Sequence, residues 1–458
     1  MKLRTTLSLL LNVTVLLATM FASAQVGGTA RLGDRASVLD STANAFGHAI
    51  GGLDRERELL FFVGNSFFNQ NWVTAPASTT ARDGLGPLFN TRSCASCHFK
   101  DGRGRPPLPG DASPTGFLIR LAGPEGGPDP GYGGQLQDHA IAGVAAEGRV
   151  VISRTERTGR YPDGSPYVLE VPHYDLAELA YGPLSLATII GPRVANQMIG
   201  LGLLEAIPEA DIVAVADPDD ADGDGISGRA NRVPDLITGD MSLGRFGWKA
   251  SEPSIAQQVA TAFLSDLGIT TPIHPRQNCS ASQQACRQAI GGENEGSGLE
   301  IDPDDFSKVV LYASVLAVPV QRAADDPAVL AGERLFREIG CTACHTEHFV
   351  TGEHPITPLS GQSIRPYTDL LLHDMGGELA DGMPVFGASG REWRTPPLWG
   401  IGLFETVNDH TRYLHDGRAR NLEEAILWHG GEAEAARDRF MNLPLRQREQ
   451  LLTFLSSL

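Results

Sequence analysis

Two pentapeptides constrain this chain more than anything else in it: Cys94-Ala95-Ser96-Cys97-His98 and Cys341-Thr342-Ala343-Cys344-His345. Each sets two thiols three residues apart, with an imidazole next to the second. This is the pattern of covalent haem c attachment, in which the thiols add to the two vinyl groups and the histidine binds iron from one side. The competing readings are a zinc site and a thioredoxin-like dithiol. Zinc needs closely grouped further ligands, and dithiol exchange has no use for a histidine at this place. Two copies among only 6 cysteines favour two covalent haems.

The surroundings of the motifs repeat as well. Leu88-Phe89 and Leu335-Phe336 each place a Phe five residues before the first Cys. The segments Gly86–Cys94 and Gly332–Cys341 are therefore expected to end first helices that pack an aromatic on the haem or core. Apolar residues at helical spacing recur from Phe306 to Val318 and from Leu445 to Leu455. A cytochrome c domain closes with such a helix laid across its first one. The expected fold is mainly α, with two cytochrome c-like domains spanning 25–322 and 327–458 and a boundary at Asp325-Asp326-Pro327. The first is enlarged by long Gly/Pro-rich loops (101–135), a small β hairpin (147–172) and helices expected over 193–205 and 254–267. Arg103 and Arg105 follow the first motif closely, either pairing with haem propionates or facing solvent.

Residues 1–24 read as an export signal. Lys2 and Arg4 precede a mostly apolar Leu7–Leu17 run, and Ala22-Ser23-Ala24 is a small-residue cleavage site. The run is shorter than the roughly 18 apolar residues of a membrane span, and no later segment resembles one. The expected location is the periplasm, with no stable membrane anchor. Formal charge is −18 for the whole chain, which argues against a nucleic-acid or anionic-membrane surface. In an oxidising compartment Cys279 and Cys286 are expected to form a local disulfide; a redox-active dithiol is the alternative.

A second dense cluster is Asp217–Gly228, where Asp220, Asp222, Asp224 and Gly225 match the start of a calcium loop. Position twelve is Asn231 rather than Glu, so this is not a full EF-hand. A Ca2+ site competes here with a plain acidic surface loop.

These blocks resemble a bacterial family of di-haem c-type oxidoreductases described as peroxidases or thiol oxidoreductases, and more distantly the di-haem cytochrome c peroxidases and MauG-type enzymes. The resemblance runs through Gly84–Gly104, Asp222–Asn231, Gly244–Lys249 and Trp393–Ala433. It implies two facing haem domains with calcium between them, one haem receiving electrons and the other activating peroxide. It places His429 as the sixth ligand of the second iron, where the distant peroxidases carry Met or Tyr, with Met375 and Met383 as rivals. Trp248 is either a bridge between the cofactors or a core residue. For the first iron, His48, His139 and His173 are distal candidates, an open iron is the alternative, and Glu156, Glu170 and Glu205 are candidate proton acceptors. His373, His410 and His415 are expected to be structural.

Three functions follow. The first is a periplasmic di-haem oxidoreductase, such as a peroxidase reducing hydrogen peroxide with electrons relayed between its haems. The second is an electron-transfer protein without substrate chemistry, which needs a redox protein partner. The third is a redox partner for a metal-uptake system.

Overall fold

The computed structural model describes residues 30–108, 111, 115–289, 291–294 and 296–458, so the export-signal reading of 1–24 lies outside the described residues. The fold is helix-rich, with small sheets in which the strands pair only in twos among the described residues. No helix among those residues is long and apolar enough to cross a membrane.

Two crossed helix pairs organise the chain. Helix α1 (Arg55–Asn69) packs on α3 (Pro303–Ser314), and α4 (Pro327–Glu338) packs on α6 (Leu445–Ser457). Asp54, Asp302 and Asp326 cap the first three through their side chains, and Pro303 and Pro327 open α3 and α4 where no amide bond is lost. Both crossings are made at a glycine. A Cβ on Gly64 would lie 2.2 Å from the Lys308 carbonyl oxygen, and one on Gly332 would lie 2.0 Å from that of Gln450. One turn later each first helix buries a phenylalanine. Phe68 lies 5.1 Å from the Tyr312 ring and 6.1 Å from His98, and Phe336 lies 5.4 Å from Phe454 and 6.1 Å from His345.

Phe89 is buried in the core as expected, but it ends no helix, and the helical counterpart of Phe336 is Phe68. Leu88–Phe89 is a short strand paired with His139–Ala140. Gly86 there packs directly on Gly268, which leaves no room for a helix ending at Cys94. The helix expected over 193–205 is also shorter: Ile189–Val194 is a strand paired with Phe117–Ala122, and helix resumes only at Leu201–Glu205, after left-handed Gly200. Helix α2 (Ile255–Leu267), capped by Ser254, fits the reading of 254–267. The hairpin exceeds its expected span, with strands Arg149–Arg160 and Pro166–Ala177.

One apolar core runs from Leu32 to Leu458 and draws on both sides of the 322/327 boundary. Ser37–Val38 pairs in parallel with Val318–Pro319, and the Gly400 amide donates to the carbonyl of Leu458. A buried tie fixes the first motif to α3: the Tyr312 hydroxyl donates to Asp101 Oδ1 at 2.5 Å and accepts from Asn65 Nδ2 at 2.8 Å.

Gly332→Ala should destabilise the protein by about 1–3 kcal/mol in urea denaturation, because overpacking against a backbone carbonyl outweighs the ~1 kcal/mol gain in helix propensity. A stabilised variant would refute the close crossing. Burial pushes the Asp101 carboxyl from 3.8 up to about 7, partly offset by the Tyr312 hydroxyl. The unfolded chain ionises first, so this group lowers stability as pH rises through that window. Asp101→Asn should remove the loss, and its stability relative to the native protein should grow between pH 4.5 and pH 7.5.

Candidate functional site

Three histidines share one arrangement. His98 Nδ1 donates to the Asn196 carbonyl at 2.6 Å, His345 Nδ1 to the Tyr367 carbonyl at 2.8 Å, and His429 Nδ1 to the Ala425 carbonyl at 2.7 Å. A carbonyl only accepts, so each Nδ1 holds the proton and each Nε2 keeps its lone pair, the form a metal ligand needs. Burial lowers all three imidazolium pKa values. His345 falls to about 4, with His429 close enough to add to the effect. His429 therefore lies within electrostatic reach of His345. His429 is carried at the end of a short helix, α5 (Leu422–Leu427).

The four motif cysteines are unpaired with one another. Burial pushes the Cys94 and Cys341 thiols up to about 12. Reactive dithiols have lowered pKa values, so this environment is wrong for thiol exchange. The backbone is left-handed at Lys100 and Asp101 after the first histidine, and at Tyr367, which supplies the carbonyl for the second. Such strain costs about 1–3 kcal/mol per residue and collects at functional sites.

A cavity of about 530 Å³ opens onto Cys94, Cys97 and His98. Its wall includes Met383–Phe386 and Arg394, from beyond the 327 boundary. Two of its lining arginines bond only to carbonyls: Arg245 to Leu204 and Ile207, and Arg394 to Gly247 and Thr395. Burial pushes Arg394 down to about 10 and Arg245 in the same direction. Two enclosed guanidiniums without carboxylate partners fit a group that brings two carboxylates of its own, as haem does. Arg103 and Arg105, the sequence candidates for that role, do not line this cavity, although Arg103 is likewise buried and side-chain bonded only to a carbonyl, that of Leu414. Arg105 pairs with Asp111 at 2.6 Å, and Arg103 sits 5.0 Å from the centre of the Trp248 ring.

Trp248 lines the same cavity and donates Nε1 to the Val194 carbonyl. Its ring meets His415 edge-on at 6.5 Å, and His415 stacks on Trp393 at 3.7 Å. Trp393 pairs across a two-stranded ladder with His373. His373 lies 3.4 Å from Cys344 Sγ, so an aromatic row leads from the first cavity toward the second motif. His373 itself is no ligand candidate, since its nitrogens contact Asp369 and Glu432 at 2.8 and 2.7 Å. Burial opposes its charge, but the two carboxylates hold its pKa up near 12. His410 braces the backbone at Arg103 and Arg412.

Several sequence candidates fall away from the cavity. His48 pairs with Asp40, His139 with Asp138, and His173 with Thr155. Glu170 pairs with Arg412, Glu205 accepts from the Ile255 amide, and Glu156 is exposed at the surface. Met383 lines the first cavity, and Met375 packs against the cluster of Val194, Trp248 and Trp393. Two carboxylates missed from sequence line the cavity: Asp266, which accepts from Gln135, and Glu252, with a buried Oε2 that has no partner. Burial raises its pKa, and Gln257 partly offsets this. Its position four residues after Trp248 was the only available signal.

In the acidic loop, oxygens of Asp217, Asp220 and Asp222 lie within 4.8 Å of one another, while Asp224 Oδ1 accepts from the Ile226 amide. Cys279 and Cys286 are joined in a disulfide, their Cα atoms 5.9 Å apart.

The pattern of the family described as "Di-haem oxidoreductase, putative peroxidase" matches residues 29–114 and 184–458. No curated protein matches the chain. Among solved structures, hydrazine synthase from Kuenenia stuttgartiensis is 14% identical over 89% of this chain and 94% of that one. Its TM-score of 0.31 is too low to bear on the fold. With both motifs and most of its length inside the family pattern, the chain belongs to the di-haem oxidoreductase, putative peroxidase family.

Proposed function

We propose that this is a periplasmic di-haem c-type oxidoreductase with two unequal irons, the first open to a small oxidant and the second closed by two histidines. The observation that carries the reading is an asymmetry. His345 has a second suitably prepared imidazole, His429, within electrostatic reach, whereas His98 is the only histidine lining its own cavity among the described residues. In this reading each crossed helix pair with its motif forms one cytochrome c-like unit, 25–322 and 327–458, fused over a shared core. Cys94, Cys97 and His98 hold one haem; Cys341, Cys344, His345 and His429 hold the other. When bound, the haems supply one-electron redox chemistry and a coordination position for substrate.

The protein's own residues do the rest. Arg245 and Arg394 hold the propionates of the first haem. Glu252 holds the proton that a substrate such as hydrogen peroxide must lose and regain. Trp248, His415 and Trp393 fill the space between the sites and shorten the path for electrons from a redox protein partner. The loop 217–228 takes calcium through Asp217, Asp220 and Asp222. Ser227, at its end, donates to Glu432, the partner of His373. One observation favours the relay reading instead: Met383 lines the first cavity, and a thioether bound there would close the iron.

Low-temperature electron paramagnetic resonance of the fully haem-loaded ferric protein should show one high-spin and one low-spin centre. His429→Ala should abolish the low-spin signal. Two low-spin signals in the native protein would overturn the open first iron, and a low-spin signal surviving in His429→Ala would overturn the ligand. Glu252→Gln should lower peroxide turnover by about 100-fold or more while both spectra stay unchanged; unchanged turnover would remove Glu252 from proton handling.

A further inference from the structure

The hairpin Arg149–Ala177 lies wholly inside residues 115–183, which the family pattern does not cover. It does not project into solvent as an idle insertion. It lies across the C-terminal half and grips α5, the short helix that ends next to His429.

The Tyr161 hydroxyl donates to Glu423 Oε1 at 2.6 Å. The Glu170 amide donates to Glu424 Oε1. Glu424 is buried, and its other oxygen accepts from the Arg420 amide and Nε, both at 2.8 Å. Arg420 in turn donates to the Val168 carbonyl in the hairpin at 2.9 Å. The Arg157 guanidinium lies 4.9 Å from the centre of the Trp428 ring and donates to Glu378 Oε2 at 2.8 Å. Trp428 immediately precedes His429.

A helix of 6 residues has no stability of its own, because nucleation costs more than so few hydrogen bonds return. Its orientation must come from what it packs against. The direction of the His429 ring depends on that orientation, since Nδ1 is tied to Ala425 inside the helix. Both first-turn carboxylates of α5 are held by the hairpin, and the residue before His429 is covered by a hairpin arginine.

We propose that the hairpin is a positioning clamp for His429, acting through Tyr161, Arg157 and the Glu170 amide. This rests on the reading of His429 as the sixth ligand of the second iron. A chain without the segment would leave Glu424 buried with fewer donors and α5 held only by its Asn421 cap and its packing on α6 and on the helix Glu434–Asn442, and His429 would leave the iron more readily.

The test uses the haem-loaded protein carrying Tyr161→Phe, Arg157→Gln or both, with His429→Ala in parallel. The readouts are the low-spin signal of the second haem, its midpoint potential, and the rate at which cyanide displaces the histidine. Removing a hydrogen bond of this kind should speed cyanide binding at the second iron by about tenfold in the double variant. Part of the low-spin signal should turn high-spin and return on adding imidazole, with the first haem unchanged. Unchanged cyanide kinetics and potential in the double variant, in a background where His429→Ala does lose the low-spin signal, would overturn the clamp alone. If His429→Ala keeps that signal, the ligand reading fails first. Tyr161→Phe preserves the ring that packs under Arg448, so a folding defect confined to Arg157→Gln leaves the single variant to decide.

Discussion

An imidazole serves as a metal ligand only when one nitrogen is free of its proton and aimed at a fixed point, and here the backbone imposes both conditions. The carbonyls of Asn196, Tyr367 and Ala425 each take the proton side of one ring. They come from a loop between a strand and a helix, from a strained left-handed residue, and from inside a six-residue helix. None of these would hold position alone. The glycine crossings, the shared core and the tie from Tyr312 to Asp101 are what keep three unrelated stretches of backbone in place around the rings.

Electrostatics in the interior follows a second economy. Arg193 and Lys249 lie 4.6 and 4.2 Å from the centre of the Trp393 ring and share Asp381. His373 has two carboxylates. Leaving a buried charge without a counter-charge costs several kcal/mol, so the exceptions carry information. Arg245 and Arg394, both on the wall of the first cavity, have only carbonyl oxygens. Their carboxylates, Glu205 and Glu209 for Arg245 and Asp369 for Arg394, act only from beyond salt-bridge distance, which leaves room for an anionic group in direct contact.

What was legible in the sequence is what chemistry fixes locally. The cysteine–histidine pentapeptides, the disulfide between Cys279 and Cys286, the closing helices and the hairpin all declare themselves through spacing or alternation over a few residues. The same local logic misled at Phe89, because the distance to Cys94 copied that of Phe336 while 24 residues (70–93) intervene between the true first helix and its motif. Glu252, Arg245 and the placing of Met383 at the first cavity were illegible for another reason. They meet only because segments distant in sequence close on one cavity, and nothing in the neighbourhood of any one of them reports the others. His429 was legible through resemblance; the hydrogen bond that prepares it was not.

The roof of the first cavity has a consequence for how the molecule matures. Met383–Phe386 and Arg394 line the space beside Cys94 and Cys97, yet they follow both motifs in the chain and are synthesised after them. Whatever sits beside those thiols is therefore walled on one side by a segment synthesised well after them. A chain stopped before residue 383 would keep its first motif and expose what that motif carries.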